Sequence, residues 1–124
     1  MSGYILAADD DEYVRTIVST KLGAEYDVVT VADGSEAWAR LTDADDPTPD
    51  LLILDVMMPE LDGFSTLERV RENSDFADLP VLMLTSRGRE DDVLRALDAG
   101  ASDFVTKPFS PGELAGRVAR ILEQ

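Results

Sequence analysis

Five short apolar runs are spaced along the chain: Tyr4-Ile5-Leu6-Ala7-Ala8, Val28-Val29-Thr30-Val31, Leu51-Leu52-Ile53-Leu54, Val81-Leu82-Met83-Leu84 and Phe104-Val105. Runs this short and this continuous suit strands buried on both faces, hence a parallel sheet. Helical periodicity fills the gaps between them. Tyr13, Val14, Ile17, Val18 and Leu22 recur at helical spacing, with Gly23 where a C-terminal cap belongs. Ala37, Trp38 and Leu41 follow the turn Asp33-Gly34, and Phe64, Leu67 and Val70 follow Asp62-Gly63. Val93, Leu94 and Leu97 follow the acidic turn Glu90-Asp91-Asp92 and end near Gly100. Leu114, Val118, Ile121 and Leu122 mark the last helix, which has the clearest start: Ser110 as N-cap, Pro111 at the first helical position and Glu113 to complete a capping box. Strand then helix, five times over with short loops, predicts an α/β fold with a parallel sheet and helices on both faces.

The length of 124 residues suits one domain, expected over residues 1–124. Composition then removes whole classes of chemistry. There is no Cys and no His, so thiolate metal sites, disulfides, Ser–His triads and His-ligated zinc are excluded. The 26 acidic residues, against nine Arg and only two Lys (Lys21 and Lys107), leave a net charge of −15. That charge disfavours direct contact with nucleic acid or anionic lipid. An Asp-rich, Lys-poor surface suits a high-salt setting, where repulsion is screened, or equally an ordinary acidic domain. No apolar run is long enough to span a bilayer, and the N-terminus lacks a basic stretch followed by an apolar one, so a soluble, cytoplasmic protein is expected.

Ligands of open α/β sheets bind beyond the carboxyl ends of the strands. There the sequence offers Asp9, Asp10 and Asp11 after the first strand, Asp55 after the third, Thr85 and Ser86 after the fourth, and Lys107 followed by Pro108 after the fifth. If the first and third strands are neighbours, Asp9, Asp10 and Asp55 converge and repel unless a cation neutralises them. All-oxygen ligands point to Mg²⁺, or Mn²⁺ in its place. Such a cation with a free carboxylate, a hydroxyl and a lysine suits phosphoryl transfer.

Four stretches carry a resemblance over essentially the whole chain: Ile5-Leu6-Ala7-Ala8-Asp9-Asp10-Asp11, Leu54-Asp55-Val56-Met57-Met58-Pro59-Glu60-Leu61-Asp62-Gly63, Leu84-Thr85-Ser86, and Gly100 through Phe109. Together, in this order, they resemble the CheY-like receiver domain of two-component response regulators. The resemblance implies a (βα)5 doubly wound, flavodoxin-like three-layer sandwich with strand order 2-1-3-4-5. Asp55 matches the phosphoacceptor, Asp10 the direct Mg²⁺ ligand and Asp9 its partner, with the Met57 backbone carbonyl completing the protein's share of the metal shell. Thr85 matches the hydroxyl that moves to the phosphoryl group, Lys107 the lysine that pairs with a phosphoryl oxygen, and Phe104 the rotating aromatic. The implied donor is a histidine kinase or histidine phosphotransfer protein. The implied output is a shift of the surface built by the fourth helix, fifth strand and fifth helix, read by a downstream protein or a fused output domain. The implied activity is limited to the chain's own phosphorylation and dephosphorylation. A cis Lys107-Pro108 bond also follows from the resemblance.

Blander readings exist for each residue. One of the three N-terminal aspartates is expected to cap a helix, Asp55 alone reads as a turn residue, Met57-Met58-Pro59 as loop packing, Asp62-Gly63 as a helix start, Trp38 as packing, and Phe104 as core or switch. Two other functions compete. A phosphatase with an aspartate nucleophile wants a second acid two residues after it, where Met57 stands; a degenerate receiver, binding without phosphorylation, has no need of the complete acid, Thr and Lys set. Neither Met57 nor Arg87, two residues after Asp55 and Thr85, orients an attacking water well, so a long-lived phosphoryl group is expected. The chain ends at Gln124, where the fifth helix is expected to finish, as in a stand-alone receiver or one cut from a longer regulator. Monomer and phosphorylation-promoted dimer are both compatible.

Overall fold

A computed structural model describes residues 3–86 and 90–123. Five strands, β1 (Tyr4–Ala8), β2 (Asp27–Val31), β3 (Leu51–Asp55), β4 (Val81–Ser86) and β5 (Asp103–Lys107), alternate with five helices: α1 (Glu12–Leu22), α2 (Gly34–Thr42), α3 (Gly63–Glu72), α4 (Glu90–Asp98) and α5 (Pro111–Leu122). The strands form one parallel sheet in the order β2-β1-β3-β4-β5. This is the flavodoxin-like arrangement expected.

The period of two along each strand divides the interior into two cores. Leu6, Ala8, Leu52, Leu54, Val81 and Met83 face one layer with Ala37 and Leu41 of α2, Phe64, Leu67 and Val70 of α3, and Ala96 of α4. Ile5, Ala7, Leu51, Ile53, Leu82, Leu84 and Val105 face the other with Val14, Val18 and Leu22 of α1 and Leu114 and Val118 of α5. The central strands carry continuous apolar runs up to their C-terminal ends because both faces are covered.

The helix starts follow side-chain chemistry. Asp11, Asp33, Asp62 and Ser110 cap α1, α2, α3 and α5, each side chain accepting a hydrogen bond from a backbone N–H of the first turn. The Asp62-Gly63 pair is thus helix-start chemistry. A Cβ at Gly63 would strike the Asp55 carbonyl oxygen, so the glycine lets α3 begin against the end of β3. Gly100, at φ +103°, turns the chain out of α4. Arg71 secures that turn: its Nε and Nη2 donate to the Gly100 carbonyl at 3.0 and 2.8 Å, and Nη1 donates to Leu79 O at 2.7 Å.

Three helical positions depart from the periodicity. Tyr13 is 72% exposed, and Leu94 and Leu97 are 62% and 44% exposed. Tyr13 lies in the first turn of α1, beside the strand ends, where the sheet no longer backs it. On α4 only Ala96 is buried, so that helix rests on the sheet through a narrow stripe. The acids Glu90, Asp91 and Asp92 form the first turn of α4 itself, where they favour the helix dipole. Trp38 packs edge-on against Phe76, with centroids 6.2 Å apart.

Candidate functional site

The strand order gathers the site. β1 and β3 are neighbours with Ala8 beside Leu54, so the residues that follow, Asp9 and Asp55, emerge side by side. Asp9, Asp10 and Asp55 place carboxylate oxygens within 4.8 Å of one another. Asp9 and Asp55 are buried and Asp10 is exposed. Asp55, Thr85 and Lys107 lie within the last two residues of β3, β4 and β5, so each strand runs slightly further than its apolar run.

Backbone and side-chain contacts fix the buried acids. Asp9 Oδ1 accepts from the Asp11 N–H at 2.9 Å, and the Asp9 carbonyl accepts from Arg15 Nη1 at 2.8 Å. Asp55 Oδ1 accepts a long bond from the Met57 N–H at 3.4 Å. Lys107 reaches back past β4 on its four-carbon stem, and its Nζ lies 2.7 Å from Asp9 Oδ2 and 3.3 Å from Asp55 Oδ2. The contact with Asp9 is a close ion pair between a buried carboxylate and a mostly buried ammonium.

One ammonium does not balance three carboxylates. Burial, reinforced by the charge on Asp9, pushes the Asp55 carboxyl up to about 7, against the pull of Lys107 and the Met57 N–H. Burial works to lower the Lys107 ammonium, but its bonds and charge pairing with Asp9 and Asp55 outweigh this and raise it. Lys107 is therefore a fixed positive charge at neutral pH. Thr85 supplies the other unmet need. Its hydroxyl is buried and has no hydrogen-bond partner among the described residues. Such a group costs about 1–3 kcal/mol unless something occupies it.

This donor set fits a hard divalent cation. It is all oxygen, anionic, close-set and short of positive charge, with Asp10 open to solvent. The Met57 N–H already touches Asp55, which places the Met57 peptide beside the cluster. The Met57 side chain is 56% exposed while Met58 is buried, so only the second methionine is loop packing. Arg87 lies outside the described residues.

The remaining predicted residues are nearby or explained. Phe104 is half-buried, packed against the core on the α3–α4 side. The Lys107-Pro108 bond is cis. Asp11 is the helix cap among the three aspartates. Periodicity did not reveal Arg15, which braces Asp9, because an arginine six residues downstream on a helix carries no mark of its target.

Known proteins resemble this chain in sequence and fold. The response regulator receiver domain model matches residues 5–119. The alkaline phosphatase synthesis transcriptional regulatory protein PhoP of Bacillus subtilis is 42% identical over 125 residues, covering all of this chain and 50% of PhoP. The DNA-binding dual master transcriptional regulator RpaA of Synechocystis is 40% identical over 121 residues, covering 97% of this chain and 49% of RpaA. The chain spans about half the length of these curated relatives. The chemotaxis response regulator CheY4 of Vibrio cholerae superposes with a TM-score of 0.88 at 36% identity, covering 98% of this chain and all of that one. No helix among the described residues is long and apolar enough to cross a membrane. With the family model over residues 5–119, these relatives and the fold in agreement, the chain belongs to the response regulator receiver domain family.

Proposed function

We propose that this receiver is a phosphorylation-activated switch in which Asp55 is the phosphoacceptor. The observation that carries the reading is the convergence on Asp55 of two further carboxylates and Lys107. The donor is a histidine kinase or a histidine phosphotransfer protein. An Asp55 carboxylate oxygen attacks phosphorus, the bond from phosphorus to the donor nitrogen breaks, and the departing imidazole takes up a proton. Asp9, Asp10, Asp55 and the Met57 carbonyl would hold Mg²⁺, or Mn²⁺, which when bound neutralises charge on the carboxylates and the incoming phosphoryl oxygens. Lys107 is pre-placed at 3.3 Å from Asp55 to pair with a phosphoryl oxygen and needs little reorganisation to do so.

Thr85 is the internal reporter in this reading. Its orphaned hydroxyl gains a partner when it turns toward the phosphoryl group, drawing the end of β4 inward. Phe104 then moves into the space released, and the α4–β5–α5 face changes. A downstream protein, a fused output domain or a second copy reads the change there, and α4 carries the exposed Leu94 and Leu97. The receiver itself does not touch nucleic acid, because its charge is −15. It is one switch domain over residues 1–124 and catalyses only its own phosphorylation and dephosphorylation.

Intact-mass spectrometry after incubation with acetyl phosphate and Mg²⁺ tests this. A single phosphoryl adduct that disappears in Asp55→Asn and with chelator is expected. No adduct from folded protein, with acetyl phosphate or with a phosphorylated histidine phosphotransfer protein, would overturn the reading in favour of a phosphorylation-independent binding module.

A further inference from the structure

Phe104 has no hydroxyl, so its ring is positioned by packing and by the charged groups around it. The contacts around β5 identify them. β5 is one of the two edge strands of the sheet. Along it, Val105 faces the α1–α5 layer and Phe104 the opposite layer. Arg117 sits on α5, yet its guanidinium touches both sides. Its Nη1 donates to both carboxylate oxygens of Asp103, at 2.9 and 3.1 Å, and its guanidinium carbon lies 5.9 Å from the Phe104 ring centroid. One guanidinium thus reaches both the Asp103 carboxylate and the half-buried Phe104 ring, which also packs against the core on the α3–α4 side. The Phe104 N–H also donates to Asp103 Oδ1 at 2.8 Å, tying the carboxylate to the same residue that it helps restrain.

We propose that Arg117 is a positioning residue for the switch: clamped by Asp103, it holds Phe104 at the sheet edge and sets the resting bias against the activated state. The inference rests on the switch role of Phe104 argued above. A cation over an aromatic face at a part-exposed site is worth about two- to fivefold in an equilibrium constant. Since phosphoryl binding and inward Phe104 are coupled, releasing the ring must raise affinity for a phosphoryl mimic by the same factor.

The test measures beryllofluoride affinity with Mg²⁺ and follows the Phe104 ring by NMR, in wild type, Arg117→Met, Arg117→Lys, Phe104→Leu and the Arg117→Met/Phe104→Leu double variant. Expected results are a two- to fivefold tighter beryllofluoride affinity in Arg117→Met, with ring resonances displaced toward their activated values before any mimic is added. Arg117→Lys, which keeps a cation for Asp103 and for the ring, recovers most of wild-type behaviour, and Arg117→Gln, with the same expected tightening as the methionine variant, takes its place should that variant fold poorly. In the Phe104→Leu background, Arg117→Met has no effect on affinity. An equal effect in that background, or unchanged affinity and resonances in Arg117→Met, or in Arg117→Gln in its place, overturns the proposal. Wild type that binds no beryllofluoride overturns the switch reading, and this proposal with it, whatever residue stands at 117.

Discussion

Asp55→Asn is expected to stabilise the metal-free protein, although it removes the proposed phosphoacceptor. Burial and the charge on Asp9 push the folded Asp55 carboxyl up to about 7, from 3.8 for an unhindered aspartate. Below the lower value it is neutral in both states and folding gains nothing or loses nothing from its charge. Between the two, the unfolded chain has released the proton that the folded chain still holds, so wild-type stability falls as pH rises. Above about 7 the full penalty is present. Each pKa unit corresponds to about 1.4 kcal/mol, which sets a ceiling of about 4 kcal/mol. Asparagine is a near-isostere of the protonated acid and escapes most of this, leaving about 2–4 kcal/mol and a melting temperature higher by about 5–15 °C at pH 8 with chelator. The gap should narrow through pH 7 to 4 and close below that. Mg²⁺ should raise the melting temperature of wild type more than that of the variant. Thermal melts by circular dichroism, with and without Mg²⁺ across this range, are the assay. A gap independent of pH, or a destabilised variant at pH 8, would refute the claim that uncompensated charge at Asp55 strains the resting site.

Other outcomes follow from the same geometry. Lys107→Met leaves Asp9 and Asp55 without their shared cation and should slow acetyl phosphate labelling by about 10²-fold or more, read by intact mass. Thr85→Val removes an orphaned buried hydroxyl, so the resting protein should be as stable as wild type or more stable by about 1 kcal/mol, while beryllofluoride no longer displaces the Phe104 resonances. Ser110→Ala deletes the N-cap of α5 and should lower stability by about 1 kcal/mol in urea titration, with labelling of Asp55 unaffected. Because neither exposed Met57 nor Arg87 orients water well, the phosphoryl group should persist for minutes or longer in a decay followed by mass; decay within seconds would contradict that.

The parts of this protein that could be read from sequence share one physical origin. Strands covered on both faces leave continuous apolar runs, and helices on a flat sheet leave a stripe, so architecture was visible wherever burial was complete. The site was visible because chemistry-bearing residues are scarce: one of two lysines, with no histidine, stands just beyond an apolar run. What stayed hidden depends on distance in space. Tyr13, Leu94 and Leu97 share their helices' apolar period, but period alone does not tell where the sheet stops backing a helix. Asp9 and Asp10 look alike in sequence, yet one is buried against Lys107 and the other faces solvent. Arg15, Arg71 and Arg117 each find their partners through long, flexible side chains, and none advertises its target.

The resting site is consistently short of something. Asp55 is driven toward protonation, Asp9 and Asp55 share a single lysine, and the Thr85 hydroxyl has no partner among the described residues. Each deficit is met by the same event in the proposed reading. A divalent cation balances the acids, a phosphoryl group occupies Lys107, and one of its oxygens accepts from Thr85. The relief is therefore shared, and shared relief is coupling: cation and phosphoryl mimic must each tighten the other's binding by an equal factor. Titrating beryllofluoride at several fixed Mg²⁺ concentrations, and Mg²⁺ at several beryllofluoride concentrations, measures both sides. Two independent affinities would mean that the acids and Thr85 answer to different ligands, and the site would not work as one switch.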